Sequence, residues 1–165
     1  MARHVDRIVV GLDDSPGGRA ALRFALQDAV RRGAHLDVVA AFRVPEYRPA
    51  VDGRPVLLSE QPTAELTASV RALASGMVDE ALTELGPSVV PPPVTVLAVG
   101  GQAGEVLVHT ARTADLLVVG SRGRGRVAGA VLGSVSLHCV LHATCPVTVV
   151  HPAAVKAEAS APVSG

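Results

Sequence analysis

The chain has 165 residues, a length typical of one domain, and 48% of its residues are apolar although only 2% are aromatic. Fifteen basic side chains balance fifteen acidic ones, so no net field attracts a nucleic acid or an anionic membrane, and the aromatic platforms that bind single-stranded nucleic acid are scarce. Composition therefore argues against both partners. It predicts an aliphatic core, which suits β-strands covered by helices on both faces.

Two further features bear on the compartment. No apolar run approaches the roughly 20 residues needed to cross a bilayer, and the residues before the first apolar run lack the hydrophobic stretch of a signal peptide. We therefore expect a cytoplasmic protein with no membrane contact, in which Cys139 and Cys145 stay reduced.

Apolar runs and segments of helical periodicity alternate through the first 150 residues. The first predicted strand covers residues 7–12, and the helix after it has Ser15 as N-cap, Pro16 at its first position and Gly33 at its end. A second strand at 37–42 leads into a Pro- and Gly-rich loop of about 17 residues, a length typical of a lid or a mobile segment.

The second half of the chain continues the alternation. A long amphipathic helix from Thr63 to the Gly86-Pro87 pair precedes a strand at 94–99, a short helix at about 104–113, an apolar central strand at 116–119, a helix from about Gly133-Ser134 and a strand at 146–150. This order predicts an α/β fold with a single doubly wound, five-stranded parallel sheet, Rossmann-like, with helices on both faces. The domain is expected to span residues 1–151, followed by a disordered tail at 152–165.

A glycine-rich segment follows the fourth predicted strand. Gly120 and Gly123 are followed after nine residues by Gly133, at the start of a helix. Glycine permits a close approach of the backbone to a ligand, and a helix N-terminus presents unpaired N–H groups to phosphate. Ser134 and Ser136 add hydroxyl donors. The spacing predicts a phosphate-binding site here.

Three arginines lie in or near the same segment. Arg122 is expected to form paired bonds with phosphate oxygens as a flap closes on them, and residues 124–130 are expected to be the moving part of that flap. Arg124 and Arg126 are compatible with that flap, with a solvated loop or with an RGG-like nucleic-acid segment, and the sequence does not decide among these.

Asp13 and Asp14 follow the first strand, at the edge of the sheet where ligands of open α/β folds bind. If the first and fourth predicted strands are neighbours, Asp13 faces the cleft and accepts hydrogen bonds from a ribose or a base. Asp14 is more simply interpreted as a helix-capping or solvated residue.

Two better-known phosphate motifs do not fit. No G-x-x-x-x-G-K-[ST] occurs, and the chain has a single lysine, Lys156, in the tail. Residues 123–128 match G-x-G-x-x-A, but the helix is predicted to begin only near Gly133, and no acidic ribose ligand ends the next strand.

The whole pattern resembles the universal stress protein family, in particular its ATP-binding branch with the motif G-x2-G-x9-G-[ST]. Gly120, Gly123, Gly133 and Ser134 fill that motif without a gap. The resemblance runs from Ile8 to about residue 151. One departure is the stretch 101–104, Gly-Gln-Ala-Gly, where the family often has Asp-Pro after the glycine, so the start of the third helix is uncertain.

The resemblance implies a role for each matching residue. Asp13, with Gly11 and Leu12 before it, would contact adenosine, and the backbone of Ala41 would recognise the adenine edge. Gly120 would approach the ribose. The residues implied around the phosphates are Gly123, Gly133, Ser134 and Val135, with Ser136 nearby.

The resemblance also implies an ATP-binding regulator of stress or dormancy, with Mg accompanying the nucleotide, little turnover, an unidentified downstream protein and a homodimer formed through the last strand, from Val147 to Val150. Two other classes stay open. One is a slow ATPase or a phosphoryl- or adenylyl-transferring enzyme, which needs a positioned base and a held metal ion. The other is a structural dimer without nucleotide.

A second cluster of residues also suggests chemistry. His138, Cys139, His142 and Cys145 are residue types that bind zinc. Because this helix must pack apolar positions on the sheet and free cysteine is often a small buried hydrophobe, we expect packing rather than a metal site.

Overall fold

In a computed structural model of the chain, the described residues are 6–44, 47–49, 55–57, 63–123 and 132–152. The strands are β1 (Arg7–Gly11), β2 (His35–Phe42), β3 (Tyr47–Pro49), β4 (Pro55–Leu57), β5 (Val94–Gly100), β6 (Leu116–Gly120) and β7 (Val147–Val150). The helices are α1 (Pro16–Arg32), α2 (Thr63–Glu84), α3 (Ala103–Thr110), extended by a 3-10 turn at Ala111–Thr113, and α4 (Ser134–His142).

Five strands form one parallel sheet in the order β5-β2-β1-β6-β7. The chain builds outward from β1 to one edge and then returns to build the other edge from β6. Strand order therefore reverses between β1 and β6, and their carboxyl ends lie side by side, as the prediction for Asp13 required. The predicted central strand, β6, lies inside the sheet, but β1 occupies its centre.

Helices cover both faces of this sheet, which confirms the predicted doubly wound α/β fold. One core layer joins α1 and α2 to the sheet through aliphatic residues such as Leu22, Leu26 and Val78. The opposite layer joins α3 and α4 to the other face through Leu107, Cys139 and the alternate strand positions. Strands buried on both faces explain why the sequence reads as continuous Val and Leu runs.

Helix α1 begins and ends where the sequence predicts. The Ser15 hydroxyl accepts a hydrogen bond from the Gly18 N–H at 3.0 Å, Pro16 occupies the first turn, and Gly33 ends the helix in the left-handed region with φ 66°. These caps satisfy backbone groups at both ends of the helix. They fix the N-terminus of α1 directly after the end of β1.

The loop predicted after β2 contains two short strands, which lie outside the five-stranded parallel sheet. Strands β3 and β4 pair antiparallel as a separate two-stranded ribbon, with Pro49 opposite Pro55. The sequence analysis treated these prolines only as breakers, but proline is tolerated at the end of an edge ribbon where no ladder N–H is needed. The rest of that loop, the predicted flap at 124–130 and the predicted tail beyond residue 152 lie outside the described residues.

Over the ranges that the structure describes, no helix combines the length and the apolar character needed to span a bilayer.

Candidate functional site

A cavity of about 290 Å³ lies at the carboxyl ends of β1 and β6, close to the lower end of the size range of small-molecule sites. All eleven residues that the sequence analysis selected line this cavity. They are Gly11, Leu12, Asp13, Ala41, Gly120, Arg122, Gly123, Gly133, Ser134, Val135 and Ser136. Three separate stretches of the chain therefore meet at one place, as the predicted topology requires.

Asp13 stands between the end of β1 and the start of α1, with its side chain half-buried. Its Oδ1 atom accepts hydrogen bonds from the backbone N–H of Ser15 at 3.2 Å and from the Ser15 hydroxyl. Its Oδ2 atom lies towards Gly123, because a Cβ built on Gly123 would come within 3.0 Å of it. One carboxylate oxygen is thus held by the protein, and the other borders the cavity.

Glycines bring the start of α1 into backbone contact with the end of β6. A Cβ on Gly17 would lie 2.4 Å from the carbonyl oxygen of Arg122, and a Cβ on Gly120 would lie 2.5 Å from the carbonyl carbon of Gly17. Real Cβ atoms do not approach backbone so closely. Gly120, which the resemblance assigned to a ribose contact, therefore has a packing reason of its own for being glycine.

Gly133 differs from these glycines. Its φ is −76°, and a Cβ on it would meet the Arg122 Cα, the Ser121 carbonyl oxygen and the Gly123 nitrogen only at 3.5–3.6 Å, which is ordinary van der Waals contact. Neither backbone strain nor packing among the described residues requires glycine here. A ligand lying close to the backbone is a physical reason that remains.

Helix α4 opens directly onto the cavity. Gly133 is its N-cap and has no side chain with which to satisfy the first N–H groups. Ser134, the first residue of the helix, is exposed, and both Ser134 and Val135 line the cavity. Free N–H groups and the positive end of the helix dipole favour an anion at this position.

Ser136 lines the cavity but does not supply the donor that the sequence analysis expected. Its hydroxyl is buried and donates within the protein, with the carbonyl oxygens of Ser121 and Gly133 at 3.1 and 3.0 Å. The Gly133 N–H also donates to the Ser121 carbonyl at 2.7 Å. A hydroxyl has one proton to donate, so Ser136 fixes the first turn of α4 against the loop after β6.

The rest of the cavity lining is mostly apolar. Most of these residues could not be predicted from the sequence, because they come from the ends of three strands and from α3 and are brought together only by the tertiary fold. The missed lining residues are Gly18, Val39, Ala103, Leu107, Val119 and Leu132. Ala103 is also the first residue of α3, which settles where that helix begins despite the unusual 101–104 stretch.

Asp14 does not line the cavity with Asp13. Asp14 is exposed and pairs with Arg19 at 2.8 Å, and Arg19 also contacts Glu80 of α2 at 3.2 Å. These hydrogen bonds raise the pKa of Arg19 above its ordinary value. Asp14 thus has the structural role that its position suggested. Arg122 borders the cavity, whereas Arg124 and Arg126 lie outside the described residues.

The histidine and cysteine cluster of α4 lies elsewhere. The rings of His138 and His142 stack with centroids 4.3 Å apart, and Cys139 is fully buried in the core beneath α4. Burial, with a smaller effect of Cys145, raises the pKa of the Cys139 thiol to about 11. In the described part of the chain, no three His, Cys, Asp or Glu side chains group closely enough to hold a metal ion.

Comparison with known proteins agrees with this geometry. The model of the universal stress protein family matches residues 4–151, so the chain belongs to that family. Universal stress protein Rv2623 of Mycobacterium tuberculosis is 37% identical over 146 residues, which cover 87% of this chain and 47% of that protein. The chain therefore spans about half the length of the curated relatives that it matches.

Solved structures show the same fold. A universal stress protein crystallised in complex with cAMP superposes with a TM-score of 0.60 at 25% identity, covering 90% of this chain and 98% of that one. The universal stress protein from Archaeoglobus fulgidus in complex with dAMP gives a TM-score of 0.54 at 21% identity, covering 87% and 96%. Two proteins of this fold were thus solved with adenine nucleotides.

Proposed function

We propose that this universal stress protein is an ATP-binding regulator of a stress response or of dormancy, with little or no catalytic turnover. The observation that carries the proposal is the meeting of Asp13, the glycine loop after β6 and the open N-terminus of α4 around one cavity. The universal stress protein in complex with cAMP is 25% identical to this chain and supports the choice of an adenine nucleotide.

The two ends of the cavity suit different parts of a nucleotide. Val39, Ala41, Leu107 and Val119 form an apolar wall of a kind that accommodates a planar base. The first N–H groups of α4 and the Ser134 hydroxyl are donors suited to phosphate oxygens. The Oδ2 atom of Asp13, which faces Gly123, is available to a ribose hydroxyl or to a metal ion beside the phosphates.

Divalent metal enters the proposal as a companion of the nucleotide. Mg²⁺ is commonly held by one or two carboxylates together with substrate phosphates, and the Oδ2 atom of Asp13 with the Ser134 hydroxyl would be its protein partners here. When bound, the ion would neutralise phosphate charge. Arg122, which also lines the cavity, would add positive charge near the phosphates.

Two observations support binding rather than catalysis. Phosphoryl transfer needs a base that positions the nucleophile, and the sequence offered only Asp13 and Asp14. Asp14 is paired with Arg19, and one oxygen of Asp13 is held by Ser15. A slow ATPase is the alternative function, and steady production of ADP over many turnovers would favour it.

The proposed homodimer, in a cytoplasmic setting, uses the edge strand β7. Among the described strands, Val147–Val150 pairs only with β6, and its residues are half-buried in the monomer. An edge strand presents N–H and C=O groups that a second copy satisfies by pairing. The relatives are about twice as long as this chain, so a second copy would supply a comparable length of protein.

The first test is to identify and measure the ligand. Small molecules released from the denatured purified protein are identified by mass spectrometry, and ATP, ADP, AMP and cAMP are titrated by calorimetry with and without Mg²⁺. We expect bound adenine nucleotide and a higher melting temperature with ATP, because a ligand that binds only the native state stabilises it. No thermal shift at millimolar ATP would contradict the proposal and favour a structural dimer without nucleotide.

A second test uses Gly133→Ala. The added methyl has room in the protein but lies where the ligand is proposed to approach, so we expect ATP affinity to fall at least about tenfold. Stability should fall by about 1 kcal/mol, because alanine is a poorer N-cap than glycine. Gly76→Ala is the control, since Gly76 is in α2 with open space around its Cβ position. Unchanged affinity in Gly133→Ala would contradict the assignment of the phosphate end.

A further inference from the structure

We propose that Ser15, which lies outside the set of cavity-lining residues, is a positioning residue that holds the Asp13 carboxylate in its ligand-binding orientation. The proposal rests on the nucleotide site proposed above. It goes beyond that site because it makes the nucleotide affinity depend on the Ser15 hydroxyl, which lies outside the cavity lining. The observation behind it is a junction of three segments at the Ser15 oxygen: the end of β1, the first turn of α1 and the loop after β6.

The junction is buried and geometrically specific. Ser15 is only 3% exposed. Its hydroxyl contacts Asp13 Oδ1, accepts from the Gly18 N–H at 3.0 Å and lies 3.4 Å from the Arg122 carbonyl oxygen. The hydroxyl has one proton and two oxygen acceptors near it. The closer acceptor is the carboxylate, so the proton goes to Asp13.

Capping alone does not require this arrangement. An N-cap serine needs only to accept from a backbone N–H of the first turn, which Ser15 does through Gly18. The additional bond to Asp13 restrains the carboxylate, together with the Ser15 backbone N–H at 3.2 Å. With Oδ1 held in this way, Oδ2 is turned towards Gly123 and the cavity.

The variants separate capping from positioning. Ser15→Gly removes the hydroxyl but leaves a residue that caps helices nearly as well as serine. Ser15→Thr keeps a hydroxyl. We expect Ser15→Gly to weaken ATP binding about tenfold in calorimetry, because Asp13 loses a restraining hydrogen bond, and Ser15→Thr to stay within about threefold of the unaltered protein.

Gly33→Ala is the matched control. It strains the left-handed residue at the other end of α1, where the Cβ position is open, and so destabilises the same helix without touching Asp13. We expect its melting temperature to fall at least as far as that of Ser15→Gly while its ATP affinity stays unchanged. A comparable loss of affinity in Gly33→Ala would overturn the proposal, because general weakening of α1 would then explain the effect.

A double-mutant cycle gives the decisive result. If Ser15 acts through Asp13, the tenfold effect of Ser15→Gly shrinks to less than about twofold in an Asp13→Ala background, which has no side-chain oxygen for Ser15 to hold. Equal losses in both backgrounds overturn the proposal while leaving the nucleotide site intact. If the unaltered protein binds no adenine nucleotide, the proposed function fails as well, so the two failures are distinguishable.

Discussion

The two ends of the five-stranded sheet differ in how their polar groups are satisfied. At the amino-terminal end, Arg7 donates to the buried Asp37 carboxylate at 2.7 Å and its backbone N–H donates to Asp115 at 2.8 Å. His35 contacts Thr95 at 2.8 Å and Asp37 at 3.2 Å. Charged side chains thus pair with one another across neighbouring strands, and this end of the sheet is closed by its own residues.

The carboxyl-terminal end has glycines and backbone dipoles where the other end has paired charges. Gly17 and Gly120 bring backbone close to backbone, and α4 presents its first turn to a cavity. One carboxylate oxygen of Asp13 also borders that cavity. One sheet thus completes its hydrogen bonding internally at one end, whereas at the other end the proposed ligand would complete it.

The largest expected effect comes from Gly17→Ala at the open end. The new Cβ would fall 2.4 Å from the Arg122 carbonyl oxygen, and backbone cannot move aside as a side chain can. We expect a loss of about 4 kcal/mol in unfolding free energy, above the usual range for overpacking because the clash is with backbone, together with weaker ATP binding as the loop is displaced. Urea unfolding and calorimetry measure the two effects. A loss below about 1 kcal/mol would mean that the backbone contact is not tight.

The next effect comes from Asp37→Asn at the closed end. Asp37 is 5% exposed, and the amide leaves the Arg7 guanidinium without its charge partner. We expect a loss of about 3 kcal/mol, at the lower end of values for breaking a buried ion pair, since Arg7 is partly solvated. ATP affinity of the folded protein should stay within twofold. A marked loss of affinity would show that the two ends are not independent.

The smallest effect concerns the packing of α4 on the sheet through Cys139. It is measured as the dependence of unfolding free energy on pH. The thiol of Cys139 has a pKa near 11 in the folded chain, above its ordinary value of 9.0. The unfolded chain therefore releases this proton first, so stability is fully present below pH 9 and falls as pH rises towards 11. We expect a fall of about 2 kcal/mol over that interval.

Urea unfolding at pH 8, 9, 10 and 11 measures this dependence, and Cys139→Ala is the control. The alanine variant should be less stable at pH 8, because it leaves a small cavity, but its stability should vary less with pH. The same slope in both proteins would assign the alkaline loss to other groups.

Much of the fold could be predicted because local signals and tertiary packing agree. The apolar runs, the Ser15 and Pro16 start and the Gly33 stop each have a physical cause within a few residues. The two-stranded ribbon was missed for the opposite reason. Its pairing of Pro49 with Pro55 is a contact between segments whose composition indicates only turns.

The cavity lining could be predicted from spacing and strand ends for residues such as Asp13 and Gly133, whereas Ala41 and Val135 were implied by the family resemblance. Roles were harder to predict than positions. Gly17 has no room for a side chain because it packs against the Arg122 carbonyl, and Gly120 has none because it packs against Gly17. The Ser136 hydroxyl donates its hydrogen bond within the protein. Such competition among partners is decided by distances of a few tenths of an ångström, which sequence spacing does not contain.

The glycine contact between Gly17 and the segment Gly120–Arg122 also has a mechanical consequence. A contact between side chains can adjust to a displacement through rotamer changes, but a contact between two backbone segments cannot. Movement of the loop must be resisted or transmitted to α1 as a whole. Arg19 and Arg23 pair with Glu80 and Glu84 of α2. The glycine contact therefore connects the edge of the cavity, through α1, to the surface of α2 on one face of the sheet.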